Sequence, residues 1–447
     1  MRTIKLIFCG LFLLVVCYWY AAAQPSATTL FEGARLIVGD GSAPIENSAF
    51  LVENNRFGTI GRKGQLQLPP GAVRVDLTGK TVMPAIVNAH NHLGWAIIKT
   101  GEIEKDTYSR ENLIDHLRRS AYYGIGAVMN FGTDPGDVAF QIRAETIPDA
   151  ALLRTAGRGM ALPNAGPGAA YWKPVAYGVT TEAEARKAVQ ELAAKKVDIV
   201  KIWVDDRNGT VKKLPPPLYR AIIDEAHKHN LRAAAHIFYL EDAKDLLRAG
   251  IDGFTHGVRD RDVDDEFIRL IQMRRNVFVT PNLPDRGATA EDFVLMSDTV
   301  PPSEVKRLRD AQMKRSPEDE KRARAFFDLQ SRNLAKLNAA GVRIALGTDS
   351  GTTVGWDTHQ ELTDMAASGM TPSQVIVAAT KTAAEVLKLD RLGTVAAGKS
   401  ADFIVLDANP LDNINNTRRI AKVYLRGKEL NRQAMRASWI GARRIAQ

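Results

Sequence analysis

Short apolar runs that alternate with amphipathic helical segments are the feature that most constrains the fold of this chain. Eight such runs follow one another between residues 81 and 349. In chain order they are TVMPAIVNAH, GIGAVMNFG, ALLRTAG, VDIVKIWV, LRAAAHI, IDGFTHG, NVFVTPN and GVRIALGTD. Alternating strands and helices indicate a parallel α/β fold, and eight strand–helix units over roughly 300 residues match a (β/α)8 TIM barrel. An open doubly wound sheet would require a glycine-rich phosphate turn after an early strand, and the sequence contains none.

The segments between these runs carry helix-boundary signals. Thr181 and Glu184 have the spacing of a capping box, which predicts that a helix begins there. The apolar face predicted for this helix consists of Ala185, Ala188, Val189 and Leu192. Gly250 and Gly341 stand where helices must end before the next strand.

Both ends of the chain have a different, β-rich texture. Residues 33–80 and those after 392 form short alternating runs, separated by Gly, Asn and Asp at predicted turns. We expect one small β-sandwich domain built from residues 24–80 and from residues 391–447, which include a tail, around a barrel over residues 81–390. The length of 447 residues agrees with this division, because a single core seldom extends beyond roughly 300 residues.

Residues 1–23 have the pattern of a secretory signal peptide. Arg2 and Lys5 form a basic start, residues 6–20 an apolar core, and residues 21–23 an Ala-x-Ala cleavage site. This pattern predicts export to the periplasm or out of the cell, with no stable membrane association after cleavage. An uncleaved anchor is the alternative, although the apolar core is short for a spanning helix.

The cysteines and the net charge limit which metal ligands and which binding partners are expected. Both cysteines, Cys9 and Cys17, lie in the predicted signal peptide, so a processed chain would hold a metal through nitrogen and oxygen atoms. The formal net charge of +9 comes from lysines and arginines that are scattered along the chain. We therefore expect a small-molecule substrate and no nucleic acid.

Ionisable side chains recur at or near the ends of the apolar runs. They are His90 and His92 in the first run, Lys201 in the fourth, His236 in the fifth, His256 in the sixth and Asp349 in the eighth. In a barrel the C-terminal strand ends meet around one mouth, where catalytic residues lie. His90 and His92 are two positions apart in a predicted strand, so both rings face the same way and suit a metal such as zinc.

These residues also have ordinary structural interpretations. A single histidine such as His256 is more often hydrogen-bonded in a core than bound to a metal, and Asp349 suits a turn or a helix cap. Lys201 resists such an interpretation, because its apolar neighbours would surround a charge that is costly to bury. The histidines expected on helix surfaces are His116, His227 and His229.

Taken together, the motifs resemble the amidohydrolase superfamily of metal-dependent hydrolases, and most closely its imidazolonepropionase-like and prolidase-like branch. The resemblance rests on AHNH, VKIW, the histidines of the fifth and sixth runs, GTDSG and the tail from GMTPSQ to DANPL. It covers nearly the whole chain after the predicted signal peptide. Asn88 and Ala85 depart from the commoner family pattern, which has Asp and Gly there; neither position is a ligand.

The resemblance implies two divalent metal ions, expected to be Zn²⁺. The implied ligands are His90, His92 and Asp349 for the deeper ion, and His236 and His256 for the outer one. Lys201 would bridge the two ions as a carbamate formed with carbon dioxide. The chemistry agrees, because burial favours the neutral amine that reacts with carbon dioxide.

The predicted activity is hydrolysis of an amide or peptide-like C–N bond, in a dipeptide or N-acyl amino acid, by a hydroxide that bridges the metals. Asp349 would take the proton of that hydroxide and pass it to the leaving amine. A binuclear lactonase or phosphoester hydrolase, a mononuclear deaminase and a non-catalytic periplasmic ligand-binding barrel are the alternatives. Lys201 argues against the last two, since neither requires a bridging lysine.

Candidate substrate contacts are Arg158, Tyr239 and His359, which follow the third, fifth and eighth runs. Arg158 would bind a substrate carboxylate, with a structural salt bridge as its alternative role. Residues 283–340 are numerous enough to carry an additional helix over the mouth. The sequence leaves open the substrate, the metal and whether the chain forms a homo-oligomer.

Overall fold

The structure, a computed structural model, describes residues 28–104 and 106–441. The predicted signal peptide at residues 1–23, with both cysteines, lies outside the described residues. Within the described part, no helix combines the length and apolar character needed to cross a membrane.

In the described part of the chain, eight parallel strands form a (β/α)8 barrel. Barrel strands one to eight are Ile86–Asn91, Ile125–Asn130, Leu152–Thr155, Val200–Val204, Ala233–Ile237, Gly253–Thr255, Phe278–Thr280 and Arg343–Ile344. Strand three continues into Met160–Ala161, which pairs in parallel with strand four. The barrel closes where the N–H of Ala89 donates to the carbonyl oxygen of Leu346 over 2.8 Å. Each of the eight predicted runs thus contains a barrel strand.

The barrel interior is packed with small and apolar side chains. One core cluster combines Ala89, Ala127, Ala234 and Phe278 from strands one, two, five and seven, and it continues into the helix Ala383–Val386. The ionisable side chains lie beyond this apolar interior, at the C-terminal ends of the strands.

A β-sandwich is built from both ends of the chain, as predicted. Its four-stranded sheet contains Thr29–Glu32, Ser48–Glu53, Arg56–Arg62 and Val73–Asp76. Its five-stranded sheet contains Arg35–Leu36, Thr81–Pro84, Phe403–Leu406, Ile420–Leu425 and Lys428–Glu429. The two sheets meet at a group of aromatic rings, in which Phe31 stacks on Phe50 at 5.1 Å and Phe403 on Tyr424 at 4.4 Å between centroids.

The first apolar run is divided between the sandwich and the barrel. Thr81–Pro84 pairs antiparallel with Phe403–Leu406 in the sandwich, whereas Ile86–Asn91 is barrel strand one. The prediction of one continuous buried strand was therefore wrong. Both halves of the run are buried in different sheets, so its hydrophobicity does not reveal the break.

Helices flank the barrel and extend its loops. The α-helices are Arg110–Tyr122, Val138–Arg143, Glu182–Ala194, Pro216–Lys228, Leu240–Ala249, Asp265–Met273, Ala290–Met296, Pro302–Met313, Pro317–Ala339, Trp356–Ala367, Pro372–Val377, Ala383–Val386 and Arg432–Ile440. A π-helical turn, Ala378–Thr382, joins two of them. The 3-10 helices are Lys173–Val175 and Ile414–Arg418, and a small hairpin pairs Ala96–Ile97 with Glu102–Ile103.

The local helix signals agree with the structure. Thr181 and Glu184 form the predicted capping box, and the four predicted apolar residues of that helix are its buried ones. Gly250 and Gly341 follow helices with φ of 101° and 72°, a left-handed conformation that favours glycine. The segment at residues 283–340 contains three helices, Ala290–Met296, Pro302–Met313 and Pro317–Ala339, which is more than the one additional helix predicted.

Candidate metal centre

His90, His92 and Asp349 converge at the mouth of the barrel. Nε2 of His92 lies 2.9 Å from Oδ1 of Asp349, and Nε2 of His90 lies 3.2 Å from the same oxygen. One ligand atom from each residue lies within 4.8 Å of the other two. The backbone sets this geometry, because the N–H of Asp349 donates to the carbonyl oxygen of His90 over 2.9 Å.

Neighbouring side chains orient the two imidazoles. Nδ1 of His90 lies 3.1 Å from Oδ1 of Asn282, an acceptor, so this nitrogen carries the proton and Nε2 keeps its lone pair. Nδ1 of His92 lies 2.8 Å from the Thr133 hydroxyl. Asn88 holds the backbone at the first of these residues, because its Oδ1 accepts the backbone N–H of His90 over 3.2 Å.

The donor atoms of this site fit a divalent metal ion. Among the described residues, Nε2 of His90 and Nε2 of His256 are buried without a hydrogen-bond partner. Burial lowers the pKa of both imidazoles well below the usual range, which favours the neutral, metal-binding form. Burial alone would raise the pKa of Asp349, but the charge of His90 and the hydrogen bond with His92 lower it. Neutral nitrogens and an ionised carboxylate are a donor set suited to zinc.

His256 and His236 continue the row of imidazoles. Ring centroids are separated by 5.2 Å from His92 to His90, by 5.4 Å from His90 to His256 and by 4.5 Å from His256 to His236. Nε2 of His256 lies 3.6 Å from Oδ2 of Asp349. Nε2 of His236 lies 2.9 Å from Oδ2 of Asp205.

Lys201 is fully buried among these groups. Its Nζ donates to the Thr255 hydroxyl and lies 4.9 Å from the ring centroid of Phe131. Burial lowers the pKa of the amine to about 7. The charge of this amine also lowers the pKa of His236 and His256, so it acts directly on the predicted outer ligands.

Glycines at the ends of strands two and three leave room for this lysine. A Cβ on Gly132 would lie 2.7 Å from Cγ of Lys201. A Cβ on Gly159 would lie 2.2 Å from the ring of Trp203 and 3.0 Å from Cγ of Lys201. The space for the aliphatic stem of Lys201 is therefore created by two residues without side chains.

The structure brings the predicted ligands together around one mouth, and His90, His92 and Asp349 have the spacing needed to hold a metal ion. The number of metal ions and the carbamate on Lys201 stay predictions. Asn88 fills the position of the commoner Asp by hydrogen bonding to Thr348 and Thr358.

The structure gives less support to the predicted substrate contacts. Nε of Arg158 donates to the Val175 carbonyl over 2.6 Å, and its guanidinium stacks on Tyr177 at 3.9 Å. Arg158 thus holds a loop, which leaves its predicted contact with a substrate without support. The hydroxyl of Tyr239 donates to Asp206 over 2.7 Å in the loops after strands four and five. A substrate contact by Tyr239 stays a prediction.

Two histidine predictions were wrong. His359 is buried, with Nε2 3.0 Å from the Tyr123 carbonyl oxygen and Nδ1 3.1 Å from the Thr417 hydroxyl, so its ring is structural. His116 is also buried, and Nε2 lies 2.7 Å from the Ala96 carbonyl oxygen. His227 and His229 are partly exposed, and each has a nearby carboxylate.

Arg259 is a residue of the mouth that the sequence reasoning missed. Its Nη2 lies 2.9 Å from Nε2 of His236 and donates to the Ile237 carbonyl over 2.6 Å. The available signal was its position, since it follows His256 closely after strand six. The ring of Trp172, in the loop after strand three, lies with its centroid 4.7 Å from that of the His92 ring.

A (β/α)8 barrel with histidines and a carboxylate at its mouth defines a metal-dependent hydrolase of the amidohydrolase superfamily. The chain belongs to the Amidohydrolase family, whose sequence model matches residues 81–430. It is 26% identical over 421 residues to an imidazolonepropionase of Deinococcus radiodurans, an alignment that covers 86% of this chain and 92% of the relative.

Two solved structures share the fold. A molinate hydrolase superposes with a TM-score of 0.74 at 20% identity, covering 91% of this chain and 95% of its own. A Xaa-Pro dipeptidase with bound methionine superposes with a TM-score of 0.71 at 21% identity, covering 90% of this chain and 100% of its own.

Proposed function

We propose that the protein hydrolyses an amide or peptide C–N bond in a small molecule of the dipeptide or N-acyl amino acid type. The observation that carries this proposal is the position of Asp349. Its carboxylate contacts His90 and His92, yet 38% of its side chain is exposed, so it faces the mouth of the barrel. A group that touches the metal ligands and also reaches the substrate is suited to proton transfer.

The side chains would hold two Zn²⁺ ions. His90, His92 and Asp349 would bind one of them and His236 and His256 the other, with a carbamate on Lys201 as a ligand shared by both. When bound, such ions lower the pKa of water and polarise a carbonyl group. The buried amine of Lys201, with its pKa lowered to about 7, is available in neutral form for reaction with carbon dioxide.

Asp349 would move the proton. Its lowered pKa keeps the carboxylate ionised at neutral pH, so it can accept a proton from the attacking water. The same carboxylic acid then donates this proton to the amine nitrogen as the C–N bond breaks. The ring of Trp172, tilted over His92, would shield this exchange from bulk water.

The likeness to an imidazolonepropionase and to a Xaa-Pro dipeptidase supports a C–N bond as the target. We further propose that the chain is exported through the segment at residues 1–23, and acts on substrates outside the cytoplasm. A binuclear lactonase or phosphoester hydrolase would use the same donor atoms, so the substrate panel must include those bonds.

The test is a turnover screen with purified protein reconstituted with Zn²⁺. The panel consists of dipeptides, N-acyl amino acids, lactones, phosphoesters and amino-substituted purines, and metal content is measured in parallel. About two metal equivalents with turnover of amides supports the proposal. Turnover of lactones or phosphoesters alone would overturn it, and so would a single equivalent with deaminase activity, or metal-free protein that binds ligands without turnover.

The variant Asp349→Asn tests the proton-transfer role. We expect turnover to fall by about 10²- to 10⁴-fold while the protein still binds metal, because the amide cannot act as the base. The matched control is Asp262→Asn, which alters a half-exposed carboxylate paired with Arg332 on the surface. Wild-type turnover in Asp349→Asn would eliminate the role.

A further inference from the structure

Two arginines stand beside the outer end of the row of imidazoles. Arg207 follows strand four and Arg259 follows strand six. Nη1 of Arg207 lies 3.3 Å from Oδ2 of Asp205, and Nη2 of Arg259 lies 3.9 Å from the same oxygen. Both charges lower the pKa of Lys201, so both act on the centre itself.

The contacts of Arg259 leave its Nε without a hydrogen-bond partner. Nη2 is occupied by the Ile237 carbonyl and lies close to His236. The flat face of the guanidinium lies 5.1 Å from the ring centroid of Phe238. Among the described residues, Nε of Arg259 is buried without a hydrogen-bond partner, and only 14% of the side chain is exposed.

Among the described residues, Arg207 and Arg259 share one carboxylate, that of Asp205, within 4.0 Å. The Asp205 carboxylate faces two guanidinium groups and an imidazole, and its Oδ2 is shared by all three. A poorly compensated cation with unused donors is costly to bury, so an anionic partner at this place would stabilise the site. Metal ions at the neighbouring ligands would increase the positive charge further.

We propose that Arg259, supported by Arg207, binds the free carboxylate of the substrate and selects for it. The inference rests on the proposed function and assigns the polarity of the substrate: its carboxylate lies toward strands four to six, and the scissile amide lies over Asp349. The unpartnered Nε–H of this guanidinium can donate a charge-assisted hydrogen bond to a carboxylate oxygen. Arg158 does not compete for this role, because it is engaged with the Val175 carbonyl.

The experiment compares matched substrates that differ only in this carboxylate. N-acyl amino acids and the corresponding N-acyl amino acid amides are assayed with wild type, Arg259→Gln and Arg259→Lys. We expect Arg259→Gln to lower kcat/KM for the acids about 10- to 100-fold more than for the amides, mainly through KM. Arg259→Lys keeps the charge and should recover part of the loss. The control is Arg261→Gln, which alters a surface arginine paired with Asp260. This variant should leave kcat/KM unchanged for both substrates.

A second measurement is independent of turnover. Calorimetric titration of metal-free wild type with N-acetyl-L-leucine and N-acetyl-L-leucinamide should show tighter binding of the acid, and Arg259→Gln should abolish the difference. Equal loss for acids and amides, or equal binding of both by the wild type, would overturn the carboxylate role. In either case, C–N bond hydrolysis by the wild type would leave the proposed function standing, whereas failure on every amide would refute that function separately.

Discussion

Gly347 should be indispensable to the metal centre, because a side chain there would displace His90. A Cβ on this glycine of the eighth apolar run would lie 2.8 Å from Cβ of His90 and 3.0 Å from Cβ of Thr280. Carbon atoms in contact are separated by about 3.5–4.0 Å, so Gly347→Ala requires a movement of at least about 0.7 Å. Metal–ligand distances tolerate only about 0.2 Å. The substitution should therefore weaken metal binding about 10- to 100-fold, and reduce the free energy of unfolding by about 1–3 kcal/mol.

The chain offers a matched control for this experiment. Gly257 follows His256, and a Cβ there would meet nothing within 4 Å. Gly257→Ala should change the free energy of unfolding by no more than about 0.5 kcal/mol and keep the metal affinity. Urea unfolding of the metal-free variants gives the stability, and competition with a chelator gives the affinity. If Gly347→Ala matches Gly257→Ala in both measurements, the steric argument fails.

Two further predictions concern buried groups. Lys201 has a pKa of about 7 in the folded state and its ordinary pKa in the unfolded state, so the unfolded state binds more protons between these two values. Urea unfolding in buffer free of metal and carbon dioxide should therefore show the free energy of unfolding rising by about 1 kcal/mol per pH unit above pH 7. The same slope in Lys201→Met would contradict this assignment. His359→Ala removes two buried hydrogen bonds and should cost about 2–4 kcal/mol of stability with KM unchanged, whereas a raised KM at equal stability would restore the substrate role for this histidine.

The sequence was informative wherever the chemistry is local. Alternating runs predicted the barrel strands, and the capping residues of Glu182–Ala194 predicted where that helix begins. The position of His90 and His92 in a strand predicted that their rings would be neighbours.

The sequence was less informative where partners come from distant segments. The ring of His359 is bound by Tyr123 and Thr417, which are 236 and 58 residues away, so no local pattern reveals that it is structural. The burial of His116 likewise depends on Ala96 in a separate hairpin. Arg259 was overlooked because it lies in a loop, where its neighbours are set by how strands four to six are arranged.

The division of the first apolar run determines what can be removed from this protein. A single residue, Ala85, separates the sandwich strand Thr81–Pro84 from the barrel strand that carries His90, and its N–H donates to the Asp402 carbonyl over 2.9 Å. The C-terminal strand Phe403–Leu406 thus pairs with the segment that directly precedes barrel strand one. A truncated barrel lacking that strand would lose the pairing that holds the start of the strand carrying His90, so any minimal version of the enzyme has to keep both ends of the chain.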